Sequence, residues 1–258
     1  MPKNNSFHTI LLSPGAQLDI LKETPEGRMA YKPITYAWDH AKLAYEEPKT
    51  LPDADFVYLK TNNDFCYIAA YKYKIVISFE GTTGDIGAWL SNFDPYPLDG
   101  ESYIKKYLGS GTIHDGFYDS WSKFKDWVTT IISEYIDKPN IKEIMVTGHS
   151  RGGALAELCS RHLAKNMKLP CSCFTFGCPA PGNKKYRDEF RFLPINGTRV
   201  VNGWDIVASV PPYILGFRHG CANKVWNEKS WWKRFLPYSR TKDHLVKSYD
   251  EFINKRYG

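Results

Sequence analysis

Hydrophobic positions recur along this chain with two periods, and the switches between them outline its elements. From residue 36 to 45, Tyr36, Ala37, Ala41, Ala44 and Tyr45 recur at helical spacing and Pro48 ends the run, which predicts an N-terminal helix. Residues 66–71 (CYIAAY) and 74–79 (KIVISF) are rich in β-branched and aromatic side chains, are separated by a short polar turn, and read as a strand pair. Between 118 and 136, Tyr118, Trp121, Phe124, Val128, Ile131, Ile132 and Tyr135 trace one face of a long helix, closed by Pro139 and Asn140. A short apolar strand, 144–147, runs at once into Gly148-His149-Ser150-Arg151-Gly152-Gly153 and a small-residue helix beginning at Ala154. Strands over 173–177 and 198–202 follow, with a helix over 183–192 between them. Strands alternating with helices predict an α/β fold with a mostly parallel central sheet and helices on both faces. In such a sheet the chemistry gathers at the carboxyl ends of the strands.

Composition narrows the picture. The 258 residues are 43% hydrophobic and 24% charged, enough apolar content for one packed domain over 1–258, with 1–54 as a helical N-terminal extension packed on it. No apolar run approaches the roughly 18 residues of a membrane span. The Ile10-Leu11-Leu12 run near the N-terminus is shorter than the about 7–15 residues of an export signal. A cytoplasmic location is therefore expected, with non-classical export as the other route. Six cysteines (66, 159, 171, 173, 178 and 221) form no CxxC pair and read as reduced, buried thiols. The 34 Lys and Arg exceed the 28 Asp and Glu by six. That excess favours anionic surfaces without demanding nucleic acid, and no nucleic-acid-binding motif accompanies it. Neither HExxH nor a Cys/His cluster with ligand spacing occurs, so no metal is expected.

Gly148-x-Ser150-x-Gly152 is the one arrangement with a clear chemical reading. Glycines on both sides of a serine allow a sharp strand-to-helix turn that lifts the hydroxyl above the sheet, which makes Ser150 the candidate nucleophile. A glycine-rich helix cap would show the same letters; the placement between an apolar strand and an alanine-rich helix favours the nucleophile. A serine hydroxyl needs an imidazole base and a carboxylate to orient it. Asp205 lies past the strand 198–202, where a strand-end loop begins, whereas Asp188 sits in a helix-like stretch and Asp243 abuts a histidine too closely to orient it. Of the two later histidines, His244, in a polar stretch before Leu245-Val246, is preferred to His219; His149 reads as a packing residue. An oxyanion needs two donors. The amide of Arg151 follows the nucleophile, and Gly81-Thr82-Thr83, after the strand ending at Phe79, offers Thr82.

Taken together these segments resemble the class 3 lipases, the fungal and plant-type triacylglycerol lipase family. The likeness runs through Phe79-Glu80-Gly81-Thr82-Thr83, Trp89-Leu90-Ser91-Asn92, Ile113-His114-Asp115-Gly116-Phe117, Thr147–Ala154, Thr175–Pro179 with Gly182-Asn183, and Asp243-His244. The resemblance implies an α/β-hydrolase fold, ester hydrolysis without a cofactor, a triad of Ser150, Asp205 and His244, and oxyanion donors at Thr82 and Arg151. It also implies a lid over 84–100, where Ile86, Trp89, Leu90 and Phe93 recur at helical spacing, and a structural His114 beside the oxyanion loop. Two positions depart from the family pattern. Glu80 stands where arginine is usual at the strand end, and Arg151 stands where leucine often follows the nucleophile, so the two are expected to form an ion pair with each other or, for Arg151, to meet an anionic head group.

The expected activity is that of a serine carboxylester hydrolase on lipid acyl esters. Phospholipid or lysophospholipid acyl hydrolysis and short-chain ester hydrolysis are the alternatives, and a catalytically inactive lipid-binding protein is the alternative of another class. Trp226, Trp231 and Trp232, interleaved with cations, suit peripheral contact with a lipid interface, although tryptophans are equally at home in a core.

Overall fold

The structure, a computed structural model, describes residues 32–62, 64–84, 111–230, 235 and 237–257. All but Gly84 of the expected lid, together with Trp231 and Trp232, falls outside the described residues.

Helix α1 (Lys32–Leu43), with a 3-10 turn at Ala44–Glu46, precedes β1 (Asp55–Lys60), β2 (Phe65–Ala70) and β3 (Lys74–Phe79). Helix α2 (Asp115–Ile136) leads into β4 (Glu143–His149), α3 (Arg151–Asn166), β5 (Cys171–Phe176), the short β6 (Gly182–Asn183), α4 (Lys184–Phe192) and β7 (Ile195–Asn202). The short β8 (Phe217–Arg218), β9 (Asn223–Asn227), α5 (Pro237–His244) and α6 (Val246–Tyr257) complete the order. The main sheet runs β1-β2-β3-β4-β5-β7-β9; β1, β2 and β3 pair antiparallel and every later pair is parallel, while β6 and β8 form a separate two-stranded sheet. The α/β fold expected from the alternation of periods is the one found.

Because successive side chains in a strand point to opposite faces, the central strands supply both layers of the core. Ile75, Ile77, Phe79, Ile144, Val146 and Cys173 pack on the face covered by α2 and α3, whereas Val76, Met145, Phe174, Phe176 and Val200 pack on the face covered by α1 and α6. Strands buried on both faces read as continuous apolar runs, which is why β3 and β4 are legible as strands. Two strands escape the same reading. β1 (DFVYLK) is a half-exposed antiparallel edge, and β9 (NKVWN) is a partly buried edge whose Trp226 donates its indole N–H to the Gly203 carbonyl at 2.8 Å and meets Trp204 edge-on. Trp226 is thus part of the sheet edge.

Helix α1 crosses the sheet and places Trp38, fully buried, against His149, Phe176 and Tyr249. Polar strand residues use it as well: Ser78 and Thr147 donate to the His40 and Ala37 carbonyls. Truncating Trp38 to alanine would cost about 3–5 kcal/mol in transfer and cavity terms. Among the described residues no helix is long and apolar enough to cross a membrane.

Candidate active site

The turn between β4 and α3 carries Ser150 at φ 56°, ψ −130°, a backbone region that a residue with a side chain adopts only when its surroundings enforce it. The enforcement is steric. A Cβ on Gly148 would lie 2.3 Å from Gly152 backbone atoms, and one on Gly152 would lie 2.3 Å from the Phe79 carbonyl oxygen, so both flanking positions exclude any side chain. The Ser150 amide donates to the Phe176 carbonyl at 2.8 Å, which fixes the turn to the next strand.

The tertiary fold brings together three residues spread over 94 positions. Ser150 Oγ lies 2.9 Å from His244 Nε2, and His244 Nδ1 lies 2.8 Å from Asp205 Oδ2 and 2.9 Å from Oδ1. Asp205 follows β7, as its position after a strand suggests, and its Oδ1 also accepts the Val207 amide at 2.8 Å, so the carboxylate caps a turn and faces the imidazole at once. His244 ends α5. All three are buried. A carboxylate at Nδ1 holds the proton there and leaves Nε2 free to take one from the hydroxyl, the arrangement that a serine nucleophile requires.

The other side of Ser150 is built from the ends of β3 and α3. The Arg151 amide opens α3, at the end of the helix whose dipole favours an anion. Thr82 sits in the stretch after β3, and its Oγ1 is buried with no hydrogen-bond partner among the described residues.

The side chain of Arg151 pairs with Asp64 at 2.7 Å, not with Glu80 as expected. The reason is placement: Asp64 ends the β1–β2 turn with its carboxylate almost wholly buried beside the start of α3. Glu80 still feels Arg151, but burial and the neighbouring Glu47 push its carboxyl up to about 7 against that attraction. The remaining candidates have other employment. His114 caps α2 by accepting the Gly116 amide. Asp243 accepts from the Trp204 amide and Lys229, one through each carboxylate oxygen. His219 meets the Ala208 carbonyl at 3.2 Å.

Two side chains missed as site residues surround His244. His149 stacks on it at 4.7 Å with an interplanar angle of 26°. His149 Nε2 lies 3.0 Å from the His244 carbonyl, which can only accept, so Nε2 carries the proton and Nδ1 accepts from the Tyr45 hydroxyl at 2.7 Å. Burial, reinforced by His244, keeps the His149 imidazole well below its ordinary range and hence neutral. The Tyr249 hydroxyl accepts the Asn202 amide at 3.0 Å and donates its proton to Asp205 Oδ2 at 2.7 Å. His149 has a sequence signal in its adjacency to Ser150; Tyr249 has none beyond lying on the helix after His244.

Among the described residues one group brings metal-ligating atoms together, Glu157, Cys178 and His219, all within 4.8 Å of one another. Glu157 is already committed to the amides of Gly220 and Cys221 and the Tyr186 hydroxyl, and Arg199 lies near enough to lower its raised pKa. A resident cation and three donors make this a buried anchor for the 219–221 segment.

Sheet order, serine turn and hydrogen-bonded trio define an α/β-hydrolase fold. Residues 76–214 match the class 3 lipase family, and the chain belongs to it. A secreted mono- and diacylglycerol lipase of Fusarium solani is 29% identical over 57% of this chain and 42% of its own length. A second such enzyme, MDL2 of Malassezia globosa, is 29% identical over 61% of this chain and 54% of its own. This chain thus spans roughly half the length of those relatives. Among solved structures, the Rhizomucor miehei lipase–propeptide complex aligns with TM-score 0.68 and 22% identity, covering 84% of this chain and 79% of that one. Lipase II from Rhizopus niveus aligns with TM-score 0.67 and 21% identity, covering 86% and 94%. The expected cytoplasmic location is corrected by these relatives, which are named as secreted proteins. A short apolar run near one end of a sequence is a weak guide to export.

Proposed function

We propose that this protein is a serine carboxylester hydrolase acting on acylglycerols. Ser150 attacks the acyl carbonyl, His244 takes the hydroxyl proton and returns it to the departing alcohol, and Asp205 steadies the imidazolium. The amides of Arg151 and Thr82, with the Thr82 hydroxyl, stabilise the oxyanion, and water then releases the acid. The observation that carries this reading is the unbroken line Ser150–His244–Asp205, at 2.9 and 2.8 Å. The names of the Fusarium and Malassezia relatives support mono- and diacylglycerols as the substrate class. Engagement of the Arg151 guanidinium with the Asp64 carboxylate favours a neutral glyceride over a phospholipid, because the cation beside the nucleophile is already held by an anion of the chain.

Contact with a lipid surface is the partner that fits. Tyr213 and Ile214 are 69% and 91% exposed in the loop that follows Asp205, and exposed Leu245 adjoins His244. Hydrolysis of p-nitrophenyl esters from acetate to palmitate by the unaltered protein and by Ser150→Ala tests the reading. Turnover that vanishes in the variant supports it; equal turnover in both overturns it.

A further inference from the structure

The two oxyanion amides sit on different elements, and their spacing must be held to a few tenths of an ångström to act on one oxygen. Arg151 opens α3, whereas Thr82 lies beyond the end of β3, where the ladder to β4 stops at the pair Phe79 and Gly148. What joins the two is the turn leading into β2. The Phe65 carbonyl accepts the Glu80 amide at 3.0 Å, while Asp64, one residue earlier, pairs with Arg151 at 2.7 Å. Asp64 is itself fixed: its other oxygen accepts from Lys123 of α2 at 3.0 Å, and its amide donates to Thr61 Oγ1 at 3.1 Å. The contact of Gly152 with the Phe79 and Glu80 carbonyls sets how closely α3 and β3 approach, but a glycine contact leaves them free to slide.

We propose that Asp64 is a positioning residue for the oxyanion site: its ion pair with Arg151, beside the Phe65–Glu80 hydrogen bond, fixes the spacing of the Arg151 and Thr82 amides. This rests on the hydrolase reading above. It also accounts for the exchanged charges at Glu80 and Arg151, because the cation bracing this corner comes from the helix and the anion that answers it from the β1–β2 turn. Glu80, buried in the same corner and pushed up to about 7, is a weak competitor for Arg151 near neutral pH.

The experiment measures Asp64→Asn, Arg151→Leu and the double variant against the unaltered protein on soluble p-nitrophenyl butyrate. It also measures inhibition by an alkyl boronic acid, whose tetrahedral adduct carries oxygen into the oxyanion site, and melting temperature. Asp64→Asn is expected to lower kcat about 10- to 100-fold with KM within about twofold, and to weaken the boronate by a matching factor. Arg151→Leu shows a loss of the same kind, and the double variant is no worse than the poorer single one. Unchanged kcat in folded Asp64→Asn, losses that multiply in the double variant, or a drop in melting temperature alone would overturn the proposal. Should Asp64→Asn not fold, Arg151→Leu carries the test by itself, and retained kcat there overturns it. Absence of turnover by the unaltered protein would instead overturn the hydrolase reading, and this inference with it.

Discussion

Two corners flank Ser150, and they are braced by opposite means. Around His244 the supports are neutral: the stacked His149 ring, the Tyr45 hydroxyl behind it, Trp38 from α1 and the Tyr249 hydroxyl on Asp205. Around the Arg151 and Thr82 amides they are ionic: Asp64, Lys123 and Arg151, with Glu80 close by. The difference follows from where charge moves. His244 must gain and lose a proton in each proposed cycle against the Asp205 carboxylate at 2.8 Å, and a second fixed ion beside it would bias that equilibrium. The corner proposed to hold the oxyanion must present dipoles at fixed positions, and ion pairs anchored by several elements hold backbone in place.

Ser150→Ala is the largest test, because both corners serve its hydroxyl. Ester hydrolysis should fall by roughly 10⁴- to 10⁶-fold with the fold intact, measured as residual turnover of p-nitrophenyl butyrate. Asp205→Asn should cost about 10⁴-fold in kcat by favouring the wrong imidazole tautomer, and a pH–rate profile that keeps its shape at much lower amplitude would confirm a geometric effect. Within the neutral corner, Tyr249→Phe removes one donor from Asp205 and leaves the Asn202 amide without its acceptor. Its kcat should fall roughly tenfold, and a loss confined to KM would contradict the bracing described here.

The smallest effect belongs to the ionic corner and depends on pH. The Glu80 carboxyl titrates near 7 when folded and near 4.5 when free, so between those values the folded state holds the extra proton. Stability therefore declines as pH rises through that window, and Glu80→Gln should raise the melting temperature at pH 8 by a few degrees but leave it unchanged at pH 4. Helix α1, which brings Trp38 into the neutral corner, predicts the reverse slope. His40 of α1 is pushed by burial, with Lys74 adding, to about 4 from an ordinary 6.5, so the unfolded chain binds the proton first as pH falls. That part of stability is complete above 6.5 and is lost toward pH 4; His40→Gln should flatten this acid slope in a series of melts.

What the linear order of residues determined was local. Apolar runs buried on both faces marked β3, β4 and β5, a 3.6-residue apolar stripe marked α2, and Gly148-x-Ser150-x-Gly152 marked the turn, since each is a property of a few consecutive residues. Asp205 and His244 were also legible, because strand-end placement and chain order narrow the choice to a handful of polar residues. Edge strands such as β1 and β9 carry no strong pattern, having only one or no buried face, and they became strands through pairing. The partner of Arg151 was decided only by tertiary structure. Asp64 is 87 positions away and Glu80 is 71, and no spacing rule distinguishes them; the antiparallel turn delivers Asp64 to the start of α3. Tyr45, His149 and Tyr249 likewise acquire their places around His244 because α1 and α6 pack on the same face of the sheet. Side-chain type and period specify which elements form, but the long-range pairs that brace a reacting site exist only after the layers have closed on one another.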